Sequence, residues 1–216
     1  MITGIPAAQA DVFDFESLPP TYSPPTQPLA DPDPPRPGAF TSLLLTGPTT
    51  SVSITRVGNQ RFDLVSNTGD QIEKPPSYGN VSFDPFFTSN GEILLNFSTG
   101  VTDVSLDFGD YGEDTDSLVL SAFNGPGLTG AFLGNSFASL PGNITSEFTT
   151  STISFSALGI HSIRLSSGSS DGFLNSIFLD NIVVSSAVTV PEANTLALLC
   201  VALPVIGTVA ARRRKK

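Results

Sequence analysis

Between Phe40 and Val184 the chain reads as short apolar runs separated by turn residues. Val104, Leu106 and Phe108 alternate with Asp103, Ser105 and Asp107, and Leu118, Leu120 and Ala122 repeat the same two-residue period. That period belongs to a strand with one face buried and the other wet. Strands are expected at residues 40–46, 51–57, 61–65, 81–87, 92–98, 101–108, 117–123, 131–137, 152–157, 160–166 and 176–184. Turn signals fall between them at Ser89-Asn90-Gly91, Asn124-Gly125-Pro126-Gly127, Pro141-Gly142-Asn143 and Ser167-Gly168. No helical period and no fixed-length repeat interrupts this body. The pattern predicts an all-β fold, an antiparallel β-sandwich.

Both ends depart from it. Residues 19–37 hold nine prolines in 19 positions, which favours extended polyproline-like chain over packed core. This loop separates a strand-like start, Val12-Phe13-Asp14-Phe15, from the run at Phe40. Residues 195–211 are uncharged. As a helix they would span roughly 26 Å, the short end of a membrane crossing. Pro204 inside such a helix is tolerated. Arg212, Arg213, Arg214, Lys215 and Lys216 follow at once. Positive charge stays cytoplasmic, so the predicted transmembrane helix leaves the body outside the membrane. Ala8-Gln9-Ala10 before Asp11 is an A-x-A cleavage pattern, so residues 1–10 read as the end of an export signal that starts further upstream.

Charge sharpens the division. The net charge of −10 hides a body, residues 1–211, with five positive and twenty negative residues, net −15. Such a surface repels phosphate, so no nucleic-acid partner is expected. It can collect divalent cations. With one Cys, Cys200, and one His, His161, an intrachain disulfide and a multi-Cys or multi-His metal site are excluded.

Pro191-Glu192, the apolar run after Asn194 and the terminal basic cluster resemble, in order and spacing, the PEP-CTERM sorting signal. Ala193 stands where that family usually has its second Pro. The resemblance implies bacterial export and an inner-membrane single pass with a cytoplasmic C-terminus. It implies recognition by an exosortase-type enzyme at Pro191 and Glu192, with residues 212–216 as the cytoplasmic basic lock. The implied destination is the cell surface or extracellular matrix. Within the body, Phe13-Asp14-Phe15-Glu16, residues 104–110, 117–123, 160–165 and 177–184 resemble the jelly-roll domains of such exported proteins. These domains are broadly similar to carbohydrate-binding β-sandwiches. The expected organisation is a signal remnant at 1–10, a jelly-roll-like ectodomain at 11–187 and a sorting tail at 188–216.

The carboxylates offer the most specific chemistry. Asp180 sits among Phe178, Leu179 and Ile182, and a buried carboxylate needs a partner. In a jelly roll the first and last strands often lie side by side, which would bring Glu16 to Asp180. A structural Ca²⁺ held by Glu16, Asp180 and backbone carbonyls would relieve the repulsion. The alternative is hydrogen bonding to backbone amides or pairing with Arg164. Asp107, Asp110, Glu113, Asp114 and Asp116 form a second acidic cluster without the spacing of an EF-hand. Gly134-Asn135-Ser136-Phe137-Ala138, Glu147 and His161 mimic a hydrolase order, but a nucleophile elbow needs a strand-to-helix turn. The expected function is therefore a non-enzymatic structural or binding module. One alternative is a lectin-like module for extracellular polysaccharide, with Tyr22, Tyr78, Tyr111 and exposed Phe as the available rings. A hydrolase on a β-sandwich is the other.

Overall fold

The computed structural model describes residues 9–21, 39–58, 61–67, 74–84, 92–110, 115–142, 148–167 and 177–186. Among these residues ten strands form: β1 Ala10–Phe13, β2 Ser42–Thr46, β3 Ser51–Arg56, β4 Asp63–Ser66, β5 Val81–Asp84, β6 Ile93–Asp110, β7 Asp116–Phe123, β8 Phe132–Leu140, β9 Thr149–Ser167 and β10 Phe178–Ser185. Every pairing between them is antiparallel. The expected all-β architecture is observed. The expected C-terminal helix and both ends of the sorting tail lie outside the described residues, as do residues 22–38. Among the described residues no helix is long and apolar enough to cross a membrane.

Two strands are twice the expected length. The sequence suggests a break at Thr99-Gly100, yet β6 continues through it, and β9 likewise continues through Leu158-Gly159. The two glycines meet at a shared bend. A Cβ on Gly100 would lie 3.4 Å from Gly159 Cα and 3.1 Å from His161 Nε2, and Gly159 has φ +72°. The β6–β9 register shifts between Asn96 and Val101 and again between Val101 and Asp103. Extra residues at a bend of this kind let a ladder change direction without ending.

The bend divides the sheet into two layers. In the first, the order is β2, β3, the first half of β6, the second half of β9, β7 and β8. In the second, β4 pairs β5, β5 pairs β10, and β10 pairs the second half of β6, which pairs the first half of β9. β1 takes over the β10 edge beyond β5, pairing Phe13 with Ile182 and Ala10 with Ser185. Side chains alternate, so one face of each layer turns inward. Val104, Leu106 and Phe108 from one layer join Ile54, Leu95, Leu120 and Ile163 from the other in a single buried cluster. Each such Leu, Ile or Phe stabilises the fold by about 1.5–3 kcal/mol relative to exposure.

A carboxylate ties the layers together. Asp11 of β1 points inward, and its Oδ2 accepts from Thr49 N at 2.9 Å, Thr50 N at 2.8 Å and Thr49 Oγ1 at 2.8 Å. These donors sit in the turn between β2 and β3, in the opposite layer. Burial raises the carboxyl pKa, but the two amides and the hydroxyl outweigh it and hold Asp11 below the ordinary value. Gly47 makes room, because a Cβ there would lie 2.7 Å from the same oxygen.

Candidate functional site

On the outer side of the second layer one row of side chains crosses five strands. Val65 of β4 pairs Ser82 of β5, and the Leu179–Phe83 register places Asp180 of β10 beside Ser82. Asp180 pairs Asp107 of β6, and Asp107 pairs Thr152 of β9. This row is roofed by the 3-10 turn Pro76–Tyr78 and by Phe148. Val65, Tyr78 and Phe178 form a small buried cluster there, separate from the main core.

Asp180 is 2% exposed, and its Oδ1 accepts from Asn181 N at 2.7 Å. Burial raises its carboxyl to about 8, against the pull of that amide. Glu16, Asp14 and Asp107 push it in the same direction as burial. Asn181 makes the bulge beside it, with φ +47° and a register shift between Asp180 and Val183. Its amide nitrogen donates to Ser77 O at 2.7 Å and Asp107 Oδ2 at 3.1 Å, which fastens the roof to the sheet. Thr152 Oγ1 donates to Asp107 Oδ1 at 2.6 Å. Tyr78 is buried and its hydroxyl has no hydrogen-bond partner. Burial, with Asp107 and Asp180 adding, pushes that hydroxyl well above its ordinary pKa.

The first and last strands do lie side by side, and Glu16 lies close enough to bias Asp180. Glu16 itself is held by nitrogen. Its Oε1 accepts from Asn80 N at 2.6 Å and Val81 N at 3.0 Å, and its Oε2 from Asn80 Nδ2 at 2.9 Å. Among the described residues no three His, Cys, Asp or Glu converge as a metal-holding group. Three N–H donors thus face the Glu16 carboxylate. Arg164, the other partner considered for Asp180, lies 3.7 Å from Glu92 instead. Of the second acidic cluster, Asp110 and Asp116 are buried strand ends, and Glu113 and Asp114 lie outside the described residues. Ser136 lies mid-strand in β8, and Glu147 is outside the described residues.

Next to this row is an arrangement the sequence reading missed. Lys74 Nζ donates to Asn67 Oδ1 at 2.8 Å, and Ser82 Oγ donates to the same oxygen at 2.9 Å. The Asn67 amide nitrogen donates to Tyr78 O at 2.7 Å and Gly79 O at 3.3 Å. Lys74 Nζ stands 3.7 Å over the Phe178 ring. Its signal in the sequence was only that basic residues are rare in the body.

The first layer presents a different surface. β8 is one of its two edge strands, and it leaves Phe132 and Phe137 exposed at 58% and 61%. Phe132 packs against Phe123 with ring centroids 5.5 Å apart. The pairings put Asn135, Ser121, Arg164, Leu94 and Thr55 on one rung of that same outer face. Arg164 and Glu92 keep 38% and 35% of their side chains open to solvent. The face therefore combines flat apolar rings with hydrogen-bonding groups of both kinds. Of the rings considered earlier, Tyr78 is buried under the roof, and Tyr22 and Tyr111 lie outside the described residues.

No family model matches this chain, and no curated protein matches it. Among solved structures it is similar to the CBM22-2 xylan-binding domain of Paenibacillus barcinonensis Xyn10C, at 12% identity and TM-score 0.35, over 62% of this chain and 91% of that one. It is also similar to a family 11 carbohydrate-binding module from Clostridium thermocellum in complex with a β-1,3-1,4-mixed-linked tetrasaccharide. There the identity is 16% and the TM-score 0.29, over 69% of this chain and 91% of that one. Likeness at this level bears on neither ligand nor mechanism.

Proposed function

We propose that this chain is an exported surface module, delivered through a PEP-CTERM-type tail, that binds extracellular polysaccharide on the outer face of its first layer. The observation that carries the binding is the exposed pair Phe132 and Phe137 on one sheet face with Arg164, Glu92 and Asn135. Exposed rings are costly to leave in water, and a flat ring with polar neighbours matches a sugar, which has apolar faces and hydroxyl edges. The net −15 body favours a neutral polymer over an acidic one. On the sorting side, Pro191 and Glu192 are the recognition site for an exosortase-type enzyme. The run 195–211 is the membrane stop and residues 212–216 its cytoplasmic lock.

Affinity electrophoresis of the full chain in gels containing xylan, laminarin or starch tests the binding. Retardation by at least one of them is expected, and its loss in Phe132→Ala plus Phe137→Ala. Migration unaffected by every polymer would refute the binding and leave a structural matrix module. Intact mass from native cells tests the sorting: a chain ending near Pro191-Glu192 is expected, and one retaining Lys216 in the inner membrane would overturn it.

A further inference from the structure

We propose that Lys74 and Asn67 become joined by an isopeptide bond that the folded chain makes by itself. The two side chains are already in hydrogen-bond contact. Asn67 leaves β4 with its amide nitrogen fixed on the carbonyls of Tyr78 and Gly79, so its oxygen turns the other way. That oxygen receives Lys74 Nζ at 2.8 Å and Ser82 Oγ at 2.9 Å. The amide carbon is one bond beyond. When Nζ turns from that oxygen to its carbon, the Ser82 hydroxyl stays as the donor that stabilises the negative charge the oxygen gains. Lys74 Nζ also lies 3.3 Å from Ser82 Oγ, and Ser82 is beside Asp180 in the ladder. Phe178 and Phe148 hold the Lys74 amine from the other side, with Nζ 3.7 Å and 5.6 Å from their ring centroids.

The step balances without any co-reactant. The Lys74 ammonium first gives a proton to solvent. The freed lone pair on Nζ attacks Asn67 Cγ, and the Nζ–Cγ bond forms. Protons pass to Asn67 Nδ2, the Cγ–Nδ2 bond breaks, and ammonia leaves with its electron pair. One primary amide and one amine become one secondary amide and one ammonia.

Peptide mapping of the purified full chain, with intact mass, tests this. The expected result is a mass lower by one ammonia and a branched peptide joining Asn67 to Lys74. Lys74→Arg keeps a cation over Phe178 but lacks a nucleophilic amine, and it should show the full mass. Ser82→Ala removes the donor left on the Asn67 oxygen and should slow bond formation by about a hundredfold or more. Linear peptides carrying an unmodified Asn67 and Lys74 after prolonged incubation of the folded chain would overturn the proposal and leave a hydrogen-bonded lysine only. So would ammonia loss that maps to a succinimide at Asn90-Gly91 or Asn124-Gly125.

Discussion

Replacing Asp180 by Asn should change how stability depends on pH. In the unfolded chain this carboxyl titrates near its ordinary value of 3.8, and in the fold near 8. Between those values the folded state holds a proton that the unfolded state has lost. A group with a raised folded pKa contributes stability that is complete below the unfolded value and declines as pH rises towards the folded one. The loss is up to about 1.4 kcal/mol per pH unit for one proton, so about 2–3 kcal/mol from pH 5 to 7. Burial is the main cause, with Glu16, Asp14 and Asp107 adding to it. Asn cannot ionise, and its carbonyl can still accept from the Asn181 amide. Urea unfolding at pH 5, 6, 7 and 8 is the assay. The wild-type midpoint should fall with pH more steeply than the Asn variant by about 1 kcal/mol per unit, at constant m. Asp11 and Asp103, whose folded pKa values are depressed, contribute stability that is lost only as pH falls below this window. All other groups are shared by both proteins, and a constant offset from a Lys74–Asn67 bond cancels in the slope. Parallel profiles for the two proteins would refute the reasoning.

Asp11→Ala leaves the amides of Thr49 and Thr50 without their acceptor, and thermal or urea unfolding should show a loss of about 3 kcal/mol. Gly79→Ala should destabilise more than Gly58→Ala, as read by urea unfolding of both. Both glycines have positive φ, +52° and +83°, so each variant bears a backbone cost of about 1–2 kcal/mol. Only at Gly79 would the new Cβ also run into the Glu16 carboxylate, since nothing lies within 4 Å of it at Gly58. Equal losses at the two positions would mean that Glu16 does not hold the 79–81 segment.

What could be read in the chain and what could not divides along the range of the interaction. Alternation in Val104, Leu106 and Phe108 is a local consequence of one buried face, so strand existence and fold class followed from it. Gly100 and Gly159 were legible as irregularities but not as one bend. A lone glycine marks a turn, a bulge or a close approach equally well, and only their mutual contact selects among these. The pairing of first and last strands was legible, yet the fate of Glu16 was not. Two of its three partners are backbone amides beside Gly79, and side-chain identity carries no record of those. The Lys74–Asn67 pair was further from view. Its meaning needs the β4–β5 register, which brings Ser82 to residues with no local pattern. A register error of one residue would turn Ser82 to the other side of the sheet. That is why a sequence can specify such a site fully and still not display it: each residue is ordinary alone, and the chemistry resides in the contacts among Asn67, Lys74 and Ser82, which must all hold at once.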